Sequence, residues 1–229
     1  MAKPKVRQHT SQQHFQPKNI KPLTDNQSLT FDLYKKYGNL VLHGVAGTGK
    51  TFIAMYLAIQ ELLSKDSSYD KIVIIRSAVP TRDVGFLPGT LDEKMAVYEQ
   101  PYKVICDDLF GRGDAYGILK HKGQIEFEST SFLRGTTFNN CIIIVDEMQN
   151  LAWKECDTII TRVGDNSKIV FCGDYIQSDL ESRDRNGIIK FLDVLESMNC
   201  FGFVDFVPDD IVRSGLCKSY IFAKLAKGL

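Results

Sequence analysis

Residues 44–51 read Gly44-Val45-Ala46-Gly47-Thr48-Gly49-Lys50-Thr51, and this stretch decides the fold. It sits between an apolar run at 39–42 and an amphipathic stretch at 51–63. A strand that feeds a glycine-rich turn, which in turn opens a helix, is the context of a phosphate-binding loop. Glycines let the backbone wrap so that N–H groups face a phosphate. The helix N-terminus adds partial positive charge. Lys50 is the residue type and position that neutralises β- and γ-phosphates, and Thr51 offers a hydroxyl to Mg²⁺. Gly44, Ala46, Gly47, Thr48, Gly49, Lys50 and Thr51 are therefore the expected nucleotide-binding set, with ATP and Mg²⁺ as the ligands.

Working outward, further apolar runs fall at 72–75, 125–127, 142–145, 169–171 and 203–206. The runs 72–75 and 142–145 are continuously apolar, as strands buried on both faces of a parallel sheet require. Helical patterns at 92–109, 153–163 and 188–198 alternate with them. Alternating strand and helix predicts an α/β fold, a parallel sheet with helices on both faces. Residues 111–123 carry four glycines and read as a loop.

Two more motifs lie at the ends of apolar runs, where open α/β sheets place their ligand sites. Cys141-Ile-Ile-Ile-Val-Asp146-Glu147 ends in two carboxylates. Asp146 is expected to hold Mg²⁺, and Glu147 to act as general base toward the attacking water. A solvated acid at a strand end is the plainer alternative. Gly173-Asp174-x-x-Gln177 follows the run 168–172 and reads as a γ-phosphate sensor through Gln177, an ordinary strand–turn being the alternative.

The 229 residues suffice for one sizeable domain. Residues 1–22 are polar and basic, with no acid before Asp25, and read as a flexible arm that either touches a polyanion or is simply solvated. Residues 23–229 are expected to form the single ATPase domain. A formal net charge of zero excludes a protein that binds polyanions over its whole surface, so any nucleic-acid site is local. No apolar run approaches the roughly 18 residues of a membrane span. The N-terminus lacks the apolar segment of a secretory leader. A cytoplasmic protein with no membrane contact is expected, in the host cytoplasm if the gene is a phage's. The six cysteines include no C-x-x-C pair, which points to reduced, buried thiols rather than zinc.

In this order the phosphate loop, Asp146-Glu-Met-Gln-Asn150 and Gly173-Asp-x-x-Gln177 resemble the PhoH family, P-loop proteins similar to the first motor domain of superfamily 1 helicases, which implies that the parallel sheet is RecA-like. Arg76-Ser-Ala-Val79, Gly85-Phe-Leu-Pro-Gly89 with Glu93-Lys94, Phe132-Leu-Arg134-Gly135 and Asp210-Ile-Val-Arg213-Ser214 extend the resemblance over about residues 23–222. Ser77 and Ser214 depart from the family's Pro and His. The chain looks like a compact, phage-type member without a PIN nuclease domain.

The resemblance implies further roles. Gln27 stands where helicase-like proteins place an adenine-reading glutamine, a plain exposed polar residue being the rival. Arg213 is the implied neutraliser of transition-state charge, from its own chain or across an interface, against a salt bridge to Asp209 or Asp210. Arg76 and Arg134 are nucleic-acid candidates, with structural ion pairs as the alternative. Phe86 and Phe132 offer stacking faces or belong to the core. The implied function is an ATPase coupled to single-stranded RNA or DNA, a helicase-like motor. The alternative is an ATP-dependent switch or assembly protein acting on a protein partner, with a small-molecule kinase a distant third. A one-domain motor lacks the second wall of its site, so a homo-oligomer is expected, with a hexameric ring as its form.

Overall fold

The computed structural model describes residues 15–77, 91–130, 133, 135–174 and 182–227, with the backbone alone at 91–94 and 182–186. Gln177, Arg134, Phe86 and Phe132 lie outside the described residues.

Six strands form one sheet: β1 Asn39–Gly44, β2 Lys71–Arg76, β3 Ile125–Ser129, β4 Cys141–Asp146, β5 Lys168–Gly173 and β6 Phe201–Phe206, in the order β3-β2-β4-β5-β1-β6. All five pairings are parallel. Helix α1 Asp25–Tyr37 precedes the sheet; α2 Lys50–Leu62, α3 Leu91–Phe110, α4 Ala115–His121, α5 Trp153–Ile160 and α6 Ser182–Ser197 lie between strands; and α7 Gly215–Ala226 follows β6. The α/β, parallel-sheet expectation holds.

Alternation along the strands divides the core. Leu40, Leu42, Ile72, Ile74, Ile142, Ile144 and Val170 pack against α1 to α4. Val41, Val73, Ile75, Ile143, Val145, Ile169 and Phe171 pack against α5 and α6. All six residues of β4 are buried, and the five before Asp146 are apolar on both faces. Full burial of each Ile or Val contributes about 1.5–3 kcal/mol, which outweighs the weak helix–strand ambiguity of a short apolar run. All six cysteines are free thiols, and four are buried; burial pushes Cys106 and Cys156 up to about 12. Among the described residues no helix is long and apolar enough to cross a membrane.

The loop expected at 111–123 contains α4, which is a correction. Asp114 stands at its N-cap, and Ala115, Tyr116 and Leu119 are buried against the core. Their burial overrides the glycine content; Gly117 faces open space, where a missing side chain costs no packing. Helix α1 is not legible as an apolar stripe, because its buried residues are Gln27, Thr30 and Tyr34. The Thr24 side chain caps it by accepting from Gln27 N, and Gly38 ends it at φ 77°.

Residues 15–22 run along the α3 side of this layer. Lys18 N donates to Leu109 O at 2.7 Å. Phe15 stacks on Phe110 with ring centroids 4.3 Å apart. Ile20 N donates to the Tyr56 hydroxyl at 3.2 Å.

Candidate nucleotide site

Parallel pairing puts the C-terminal ends of β1, β2, β4 and β5 on one edge. Register does the rest: Arg76 lies opposite Asp146, and His43 opposite Gly173. The phosphate loop, Arg76, Asp146-Glu147, Gly173-Asp174 and Arg213 meet along this edge. The groove there is lined by Gln27, Lys50, Thr51, Arg76, Asp146, Glu147 and Arg213, among others.

The loop after β1 needs its glycines. Gly44 has φ 116°, and a Cβ there would meet Phe206 O at 2.1 Å. Gly49 sits at the N-cap of α2 in the left-handed region, with no side chain capping the helix. The first N–H groups of an α-helix have no partner within the helix, so this end is open to an anion. Lys50 is buried and donates from Nζ to Gly44 O and Val45 O, both at 2.8 Å. Burial lowers its pKa, opposed first by the charge of Asp174. The ammonium is thus held on the loop's own carbonyls at the mouth of the phosphate cradle.

Thr51 and Asp146 are 95 residues apart in sequence and in direct contact, the threonine hydroxyl donating to Asp146 Oδ1 at 2.8 Å. The other carboxylate oxygen, Oδ2, accepts from the Tyr102 hydroxyl at 2.8 Å. Burial raises the Asp146 pKa, and the neighbouring Glu147 adds to the rise; Thr51, Tyr102 and Arg76 counter it. Two adjacent carboxylates, one of them buried, and a hydroxyl form a hard oxygen donor set. A small divalent cation that keeps most of its water needs only one or two such protein ligands. The chemistry of Thr51, Asp146 and Glu147 fits a small divalent cation such as Mg²⁺.

Glu147 occupies left-handed backbone space at φ 53°. Such a conformation costs energy in a non-glycine residue and persists where surroundings enforce it. Here a one-turn 3₁₀ helix, Met148–Asn150, follows at once. The turn carries Gln149 back so that its Nε2 donates to Glu147 Oε2 at 2.5 Å, while its Oε1 accepts from Asp174 N at 3.0 Å. Arg76 Nη2 stands 3.8 Å from Glu147 Oε1. The ion-pair alternative for Arg76 is therefore realised, and with the predicted general base as its partner.

Gln27 is buried, not an exposed polar residue. Its Oε1 accepts from Leu23 N at 2.8 Å and its Nε2 donates to Thr48 O at 3.0 Å. An amide oxygen has two lone pairs and an amide nitrogen two hydrogens, so each end keeps one bond to offer a base. Arg213 lies over the phosphate loop of its own chain. Val212 N donates to Gly47 O at 3.1 Å, and Arg213 Cγ is 3.0 Å from where a Cβ on Gly47 would stand. Asp210 instead accepts from Asn26 Nδ2 at 2.7 Å and Val207 N at 2.9 Å. Burial pushes this carboxyl up, but those bonds and one from Thr24 prevail and hold it below its ordinary value.

Sequence reading misses Tyr102 and Gln149. Tyr102 reads as one more apolar position of α3, and only the tertiary fold reveals the carboxylate its hydroxyl meets. Gln149 falls inside a quoted motif without a role; its position two residues after Glu147 is the available signal.

Residues 19–224 match the family model described as "PhoH-like protein". A "PhoH-like protein" of Mycobacterium leprae (strain TN) is 35% identical over 211 residues, spanning 90% of this chain and 58% of that relative. "Protein PhoH" of Escherichia coli (strain K12) is 35% identical over 182 residues, 79% of this chain and 51% of that protein. The chain thus spans little more than half the length of these relatives. Among solved structures, the large terminase of a thermophilic bacteriophage in complex with ADP superposes with a TM-score of 0.53 at 12% identity, over 87% of this chain and 49% of the terminase. At that identity the likeness concerns the fold.

Proposed function

The chain belongs to the family of PhoH-like proteins, and from that premise we propose that it is a Mg²⁺-dependent ATPase whose turnover is coupled to single-stranded nucleic acid. The observation that carries the reading is the contact of Thr51 with Asp146 beside Glu147, at the mouth of a phosphate loop that holds Lys50. Lys50 moves from the loop carbonyls to the β- and γ-phosphates. Thr51 and Asp146 hold the cation, which when bound draws charge from the phosphate oxygens. Glu147 accepts the proton of the attacking water. Arg213, beside Gly47, neutralises charge on the transferring phosphoryl group from within its own chain. Gln177, outside the described residues, stays the proposed γ-phosphate sensor, and Arg134 a proposed nucleic-acid contact. Gln27 reads the base. That a terminase of similar fold was solved with ADP agrees with this assignment.

The pairing of Arg76 with Glu147 supports the coupling. A nucleic-acid phosphate drawing Arg76 away would change the field at the base itself. We expect single-stranded RNA or DNA to raise the rate of ATP hydrolysis, with steep loss of the effect as salt increases, by roughly 0.7 log units per log unit of salt for each phosphate contact. Phosphate release measured with and without strands, at low and moderate salt, is the test. Hydrolysis that ignores both strands and salt would leave the protein-switch alternative in possession.

A homo-oligomer remains part of this proposal. Helix α7 has no buried residue, and it exposes Leu216, Tyr220 and Phe222 beside the groove that Ile221, Lys224 and Leu225 line. Light scattering with an ATP analogue should give a mass several times that of one chain, up to six, and Leu216→Asp/Tyr220→Asp should reduce it. A monomer that hydrolyses ATP at the full rate would refute it.

A further inference from the structure

Tyr102 is completely buried on α3, its ring tilted against Phe127 with centroids 5.7 Å apart. A buried tyrosine hydroxyl needs a partner, or its desolvation is uncompensated. In this protein the partner is Asp146 Oδ2, at 2.8 Å. Thr51 takes Oδ1 at the same distance. Both oxygens of one carboxylate are therefore occupied by donors from two different helices, α2 and α3.

The terminal torsion of an aspartate is broad, so a carboxylate held at one oxygen turns readily about its last bond. Donors at both oxygens fix its plane. The donors are also of the kind that favours the ionised form, since a carboxylate only accepts. Arg76, opposite Asp146 in the sheet register, adds a cationic neighbour to the same pair.

We propose that Tyr102 is a positioning residue for the cation site: its hydroxyl holds the Asp146 carboxylate in the orientation in which, with Thr51, it takes a divalent ion bound with nucleotide. The inference rests on the ATPase reading given above. It assigns to α3 a function in the site beyond lining the groove. Partners that orient a metal ligand from behind are worth about 10–100-fold in metal affinity or activity when lost.

Tyr102→Phe removes one oxygen atom and keeps the ring and its packing. Phe127→Leu is the companion variant, which loosens the same packing and leaves the hydroxyl in place. Mn²⁺ serves as the probe, titrated against wild type and both variants with a non-hydrolysable ATP analogue present and followed by its electron spin resonance. Thermal unfolding and steady-state hydrolysis across a Mg²⁺ series accompany the titration. The expected result is a tenfold or greater weakening of Mn²⁺ binding in Tyr102→Phe. The Mg²⁺ concentration for half-maximal rate should rise in parallel, while kcat at saturating Mg²⁺ changes little. Phe127→Leu should lower the unfolding temperature with Mn²⁺ affinity unchanged. Wild-type affinity in Tyr102→Phe overturns the assignment, and so does an equal loss in Phe127→Leu, which would trace the effect to packing. If wild type itself binds no Mn²⁺ with the nucleotide analogue, the ATPase reading falls, and this inference with it.

Discussion

Glu147→Gln should bind ATP as the wild type does and hydrolyse it about 10²–10⁴-fold more slowly, the usual range for loss of a positioned general base. The substitution is nearly isosteric. It keeps an oxygen able to accept from Gln149 Nε2, and it removes the charge that faces Arg76. The backbone at φ 53° is set by the following turn and by the pairing of β4, which the variant leaves alone. What disappears is the capacity to take a proton from water. Nucleotide binding by fluorescence and phosphate release in single turnover would be measured side by side. Unchanged hydrolysis would falsify the role given to Glu147, and lost binding would instead place it among the groups that hold nucleotide.

Lys50→Ala is the second large effect, and it should abolish measurable nucleotide binding as well as turnover. A charge-assisted hydrogen bond is worth about 1.5–3 kcal/mol, or roughly tenfold to more than a hundredfold, and Lys50 is assigned bonds to two phosphates. Its removal also leaves Gly44 O and Val45 O without the donor they have in the free protein. The loop that must fit the phosphates thereby loses an internal tie. Calorimetric titration with ATP and Mg²⁺ is the measurement. Binding within about threefold of wild type, less than the loss of a single such bond, would mean that the phosphates sit elsewhere.

How much of this is legible beforehand depends on what kind of signal each feature leaves. The phosphate loop and the strand ending at Asp146 are local: spacing and apolar continuity specify them, and the structure brings them together on one edge. The same holds for the parallel sheet, because β2 and β4 are buried on both faces and so read as unbroken apolar runs. Features fixed by the tertiary neighbourhood are not legible. Helix α1 buries Gln27, Thr30 and Tyr34, so apolar periodicity passes over it. Helix α4 contains a glycine in a glycine-rich stretch, and only Ala115, Tyr116 and Leu119 meeting the core reveal it. Tyr102 differs from a core phenylalanine by one hydroxyl whose partner is 44 residues away. Arg76 stands out in the sequence for a partner outside the chain, yet among the described residues it forms an ion pair with Glu147.

The strand order β3-β2-β4-β5-β1-β6 has a kinetic consequence. No two sequence neighbours among the strands pair except β2 with β3 and β4 with β5. Parallel pairs cannot close through a tight hairpin, and long crossovers delay the contacts that reward them. The bond between Thr51 and Asp146 needs β4 docked beside β1 through β5, and the latch from Val212 to Gly47 needs β6 in place as well. The nucleotide pocket is therefore expected to be the last part of the chain to mature during refolding. Capture of a fluorescent nucleotide should lag the recovery of helical signal, so the ligand would act as a clock for completion of the sheet.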